Sequence, residues 1–159
     1  MSLKSIYQEV ILDHNRKPRN YGALRAPTHH ATGHNPLCGD RIELDINMLD
    51  GHIEEIAFQG ESCAICKASS SMMTNAVKGK SHQEAEALIQ EFREMLVSGE
   101  DKSFDHLGRL KVLAGVRDLP TRVKCAILPW HTLHAAMNST DSATTEADDH
   151  ASKLVANNH

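Results

Sequence analysis

The sequence predicts an α+β fold in which a small three-stranded antiparallel sheet packs against several helices. Three observations predict it. Ile42, Leu44, Ile46 and Met48 alternate with Arg41, Glu43, Asp45 and Asn47, the pattern of a strand with one buried face. Asp50-Gly51 is a preferred two-residue hairpin turn, and residues 53–59 read as the partner strand. On both sides of this hairpin, apolar residues recur at steps of three and four, which makes helices rather than further strands.

Taken in order, Leu3, Ile6, Tyr7, Val10 and Ile11 set an amphipathic helix over residues 3–14, with Ser2 as its N-cap. Pro18 ends it, residues 15–26 are irregular, and Asn20-Tyr21-Gly22 makes a turn. Residues 30–35 supply the third strand. After Cys63 the stripe Ile65, Ser69, Met72, Met73 and Ala76 predicts a helix closed by Gly79, with the methionines as core filling. Ser81-His82-Gln83-Glu84 is a capping box, and Ala85, Leu88, Ile89, Phe92, Met95 and Leu96 carry the next helix to about residue 98. A polar loop at 99–105 and a short apolar helix at 107–116 follow. Trp130, Leu133 and Met137 predict a last helix over 126–137. Proline is tolerated only in a first helical turn, so Pro129 puts Cys125 at or just before that helix's start. Residues 1–138 form the domain, and 139–159 read as a disordered polar tail.

At 159 residues, 40% apolar and 24% charged, the chain is one globular domain. The tail carries Asp141, Glu146, Asp148 and Asp149 against Lys153, so three of the four net negative charges lie there. The nearly neutral body has no basic face for nucleic acid, and no apolar run approaches a membrane span. Four cysteines without a signal peptide point to a reducing cytoplasm and to metal or thiol chemistry.

Three stretches carry that chemistry. In Asn35-Pro36-Leu37-Cys38-Gly39-Asp40, Gly39 permits a turn sharp enough to aim a thiolate and a carboxylate at one ion. Read alone, the stretch is equally a buried cysteine beside a turn aspartate. Gly60-Glu61-Ser62-Cys63-Ala64-Ile65-Cys66 and Arg122-Val123-Lys124-Cys125 add thiols expected at helix N-termini, where the macrodipole lowers a thiol pKa. Cys38, Asp40, Cys63 and Cys125 together make a tetrahedral set suited to zinc rather than magnesium or calcium. Their spacing matches no compact zinc finger, so the residues alone leave a metal site open. Cys66, about 60° from Cys63 at roughly 3.6 residues per turn, falls at the edge of the apolar stripe and reads as a small core residue. The histidines fit no zinc-protease pattern, and His29, His30 and His34 face solvent.

These motifs, with Asp13-His14 and Pro18-Arg19-Asn20-Tyr21-Gly22, resemble the U-type iron–sulphur cluster assembly scaffolds, the NifU N-terminal, IscU and SufU group. The resemblance covers residues 5–137. The insertion over residues 80–114 and Lys124, where the IscU branch has a histidine, are similar to the SufU branch. The resemblance implies a SufE/NifU-like architecture and a surface site of Cys38, Asp40, Cys63 and Cys125 holding zinc or a transient [2Fe–2S] cluster. It further implies a pyridoxal-phosphate-dependent cysteine desulfurase of SufS type as sulphur donor, with recipient apo-proteins or an assembly complex downstream. Cys38, on the most mobile loop, is the expected sulphur acceptor. Cys63 and Cys125 are expected anchors, and Asp40 the hardest and weakest ligand. The alternatives are a cluster-building scaffold, a thiol–disulfide oxidoreductase using Cys63 and Cys66, and a structural zinc domain.

Overall fold

The computed structural model describes residues 3–98, 104–138 and 142–144. Strands β1 (His29–Asn35), β2 (Asp40–Leu49) and β3 (His52–Glu61) form the antiparallel sheet, with β2 central. Asp50 and Gly51 both take positive φ, 52° and 79°, the left-handed pair that a tight hairpin needs. The alternation resolves as expected: Ile42, Leu44 and Ile46 are fully buried on the helix-covered face. A register shift between Asn47 and Met48 relaxes the ladder only where the hairpin closes.

Helices α2 (Ala64–Val77) and α4 (Pro120–Met137) pack on that face, α1 (Leu3–Arg16) packs on α2 and α3 (His82–Val97) on α4, with a 3-10 segment (Asp105–Val116) between α3 and α4 in the chain. The core sits between them. Trp130 of α4 stacks on Phe92 of α3 at 4.4 Å between ring centres, and its indole N–H donates to Ser69 Oγ of α2. Met72 and Met73 are buried, as core filling should be. The Ser81–Glu84 capping box is formed in both directions. The Asp13 to Gly22 motif straps the layers together. Arg19 pairs with Asp13, its backbone N–H donates to Ser71 Oγ, and Asn20 Nδ2 donates to Thr74 Oγ1 of α2.

Four features depart from the sequence reading or add to it. The last helix starts at Pro120, not 126, so Cys125 lies inside α4 rather than at its mouth. Pro120 takes the first-turn position that the sequence reading gave to Pro129. Pro129 is carried within the helix, where its ring forgoes one bond to the turn before it. The segment at 105–116 is 3-10 rather than α, and Gly108, with φ 54° and ψ −125°, breaks it in two. Of the tail, Ser142–Thr144 run as a short strand, β4, parallel to β1. The remaining tail, the Ser2 cap and residues 99–103 lie outside the described residues.

Candidate metal centre

The four-residue link from β1 to β2 carries Cys38. Asn35 and Asp40 face each other as the last pair of the β1–β2 ladder, so residues 36–39 must reverse the chain. Gly39 does so at φ 77°, with its N–H donating to Asn35 O at 2.8 Å. Asn35 is fully buried. Its Nδ2 donates to Cys38 Sγ at 3.4 Å, and its Oδ1 accepts from Leu37 N at 3.2 Å, so one side chain both shapes the loop and orients the thiol. Cys38 itself is exposed.

Asp40 opens β2 and is 1% exposed. Its Oδ1 accepts the Cys63 backbone N–H at 2.7 Å, so the carboxylate serves one of the free donors at the start of α2. Cys63 is the N-cap of α2, and its Sγ accepts from Cys66 N at 3.4 Å. As a thiol, Cys63 contacts Asp40 Oδ2 at 3.5 Å. Its pKa is nevertheless lowered to about 7, first by a hydrogen bond from Cys125, then by the N–H groups of Cys66 and Ile65. Burial and the Asp40 charge oppose this shift. The pair therefore holds one negative charge on Cys63, while Cys125 is pushed up by donating to it and by burial.

Cys125 Sγ lies 3.4 Å from Cys38 Sγ, which brings a thiol from the first quarter of the sequence face to face with one from its last quarter. Cys38, Asp40 and Cys125 each offer a ligand atom, and these atoms lie within 4.8 Å of one another. Cys63 stands just outside that trio and joins it through Asp40. All four expected ligands thus converge on one spot. Only Cys63, of the two thiols expected at a helix start, is there. Cys66 is fully buried against Ile42, Cys125 and Leu128, and burial pushes its pKa well up.

Two residues at this spot were not singled out by the sequence. Asn35 carries no signal beyond its place in the motif. Arg122, exposed and one turn before Cys125, feels the Cys63 charge first and hydrogen-bonds toward both thiols, which raises its own pKa. A basic residue three positions before a ligand cysteine on the same helix is a readable cue for it.

The donor set, three sulphurs and one carboxylate at contact distance, fits zinc chemically. It can also hold iron through thiolates. Among the described residues no helix is long and apolar enough to cross a membrane.

Comparison with known proteins places this arrangement among relatives. The model of the family described as the NifU-like N terminal domain matches residues 6–126. The iron–sulfur cluster assembly scaffold protein IscU of Streptococcus pyogenes serotype M1 is 41% identical over 141 residues, 89% of this chain and 88% of that protein. The zinc-dependent sulfurtransferase SufU of Bacillus subtilis strain 168 is also 41% identical, over 133 residues, 83% of this chain and 89% of that one. In structure, the putative iron–sulfur cluster assembly scaffold protein for the SUF system of Fervidobacterium islandicum AW-1 superposes with a TM-score of 0.78 at 32% identity. That match covers 84% of this chain and 97% of the other.

Proposed function

This chain belongs to the family of NifU-like N-terminal domains, and we propose that within it the protein works in iron–sulphur cluster assembly as a zinc-holding acceptor of persulfide sulphur. The observation that carries the reading is the convergence of an exposed Cys38 with Asp40, Cys63 and Cys125 at the turn that joins β1 to β2. The donor is a cysteine desulfurase of the pyridoxal-phosphate, SufS type, and the setting is cytoplasmic. The sulphur passes on to apo-proteins or an assembly complex.

Cys38, Asp40, Cys63 and Cys125 would hold zinc, which supplies Lewis acidity that favours the thiolate form of its ligands. Within the chain, the roles divide by burial. Cys125 is enclosed in α4 and Cys63 is fixed at the start of α2, so both anchor. Cys38 is the most exposed of the three, where a partner's persulfide can reach it. Its sulphur attacks the outer sulphur of the donor persulfide, a new S–S bond forms on Cys38, and the donor's own S–S bond breaks. Cys38 attacks as the thiolate, the donor leaves as a thiolate that takes a proton from solvent, and no external electrons are needed. Asn35 holds the Cys38 loop, and Arg122 lends positive charge beside the sulphurs.

The test is desulfurase turnover with a reductant present, comparing wild type with Cys38→Ser. Stimulation lost in Cys38→Ser, with the fold retained and zinc held more weakly, is the expected result. Equal stimulation by both would refute the acceptor assignment. A stable, transferable cluster formed on anaerobic reconstitution would instead favour a cluster-building scaffold on the same ligands.

A further inference from the structure

The contact between Cys38 and Cys125 has a chemical consequence that metal binding does not use. Their sulphurs lie 3.4 Å apart, within the roughly 3–3.5 Å of a near-attack geometry. Cys125 is fully buried in α4, whereas Cys38 is exposed on the turn that joins β1 to β2. A sulphur atom added to Cys38 in line with Cys125 therefore points outward. The Cys38 Sγ that Cys125 faces becomes the inner sulphur of the persulfide. Cys63 lies outside the trio of Cys38, Asp40 and Cys125, and Cys66 is buried among Ile42, Cys125 and Leu128. Cys125 is thus the thiol placed to attack.

We propose, building on the reading of Cys38 as the sulphur acceptor, that Cys125 is a resolving thiol that attacks the inner sulphur of the Cys38 persulfide and releases the accepted sulphur as hydrosulfide. The protein then has a second activity, turning the sulphur it accepts into the sulphide that an iron–sulphur cluster contains. Cys125 gives its proton to the Cys63 thiolate, to which it already donates a hydrogen bond. Its sulphur bonds to Cys38 Sγ, the bond from Cys38 Sγ to the outer sulphur breaks, and that atom leaves as hydrosulfide. Hydrosulfide is the base of a stronger acid than a cysteine thiol, so it is the better leaving group. The sulphur atom arrives uncharged and leaves as sulphide. Its two electrons come from the Cys38 and Cys125 thiols, which end as a disulfide. An external dithiol returns both electrons and restores the pair.

The turn has the freedom this step needs. Closing the disulfide shortens the sulphur separation from 3.4 Å to about 2.05 Å. Residues 36–39 are all exposed, so Cys38 moves that far without disturbing the core. Asn35 Nδ2 donates to Cys38 Sγ and so holds the inner sulphur. While Cys125 anchors zinc its thiolate is committed to the metal, and the persulfide is stable until the metal leaves.

The test starts from the full-length zinc-loaded protein, given sulphur by the desulfurase and free cysteine and then freed of both and of all reductant. Added sulphur on Cys38 is measured in one portion. A thiol-free chelator is added to the rest without air, and hydrosulfide and disulfide-linked peptides are followed under non-reducing conditions. The expected result is one hydrosulfide released per Cys38 persulfide, with a Cys38–Cys125 linked peptide appearing at the same rate. That rate should be independent of protein concentration and unchanged in Cys66→Ser, and dithiothreitol should return both thiols afterwards. Protein never given sulphur should form no link. A load with no sulphur on Cys38 overturns the acceptor reading and this inference with it. A Cys38 persulfide that outlasts chelation, hydrosulfide released without the linked peptide, a link from Cys38 to Cys63 or Cys66, an equal link in protein never given sulphur, or a rate that scales with protein concentration overturns this inference alone.

Discussion

Asp40 has two jobs that one pair of substitutions separates. Its Oδ1 accepts the Cys63 backbone N–H at 2.7 Å, and its carboxylate belongs to the expected ligand set. Asp40→Ala removes both. In metal-free protein the lost acceptor leaves a half-buried N–H unpaired at the start of α2 and should cost about 1–2 kcal/mol. Asp40→Asn keeps an amide oxygen able to accept from Cys63 N–H and gives up only the charge at the helix start, about 0.5 kcal/mol. Urea unfolding in a strong chelator reads this directly. With a slope of about 1–3 kcal/mol per molar urea, Asp40→Ala should lower the midpoint by about 0.3–2 M and Asp40→Asn by about a quarter to a half of that. In zinc the two converge. Both should bind the metal more weakly than wild type, by more than the roughly 10–100-fold that outer-sphere changes cost. Equal losses for Ala and Asn in chelator would refute the capping role. Unchanged zinc affinity in both would refute the ligand role.

Other substitutions probe neighbouring parts. Cys66→Ser places a hydroxyl in a fully buried apolar cluster and should cost about 1–2 kcal/mol by thermal unfolding, while keeping its zinc and its sulphur acceptance. A zinc-free Cys66→Ser protein would make Cys66 a ligand after all. Gly60→Ala would set a Cβ 2.1 Å from Arg41 O at φ 141° and should cost about 3 kcal/mol or more, read as a fallen Tm. In metal-free protein, Cys63 alkylation should rise through pH of about 7 rather than through the ordinary thiol range. Because its folded pKa is depressed, the stability that Cys63 contributes is present in full above the unfolded thiol's pKa and is lost as pH falls through about 7. An alkylation midpoint near the free-thiol value would contradict the Cys63–Cys125 pairing.

The hairpin was legible because alternation, a two-residue turn and alternation again admit one arrangement. The α2 start was legible too, since a strand ending at Gly60 and Glu61 followed by a helical stripe leaves Cys63 only the cap. The α4 start was not. Two prolines compete for the first turn, and local sequence cannot show that Pro129 is tolerated within the helix against a buried wall of Leu128, Trp130 and Leu133. Cys125 therefore reaches the centre from the body of a helix, where burial and a donated hydrogen bond raise its pKa. The break at Gly108 depends on a backbone conformation, and β4 depends on pairing with β1 across a long sequence separation, so neither leaves a periodic trace. Asn35 was hidden because its role, holding a thiol three residues away, exists only once the β1–β2 link has folded.

The central claim is that sulphur arrives on Cys38. Mass-spectrometric mapping of the zinc-loaded protein, after incubation with the desulfurase and free cysteine and trapping of persulfides by alkylation, tests it most directly. The account predicts one added sulphur atom on the peptide carrying Cys38, absent in Cys38→Ser and retained in Cys66→Ser. Added sulphur found instead on Cys63 or Cys125, or found on no thiol while the desulfurase is stimulated, would contradict it.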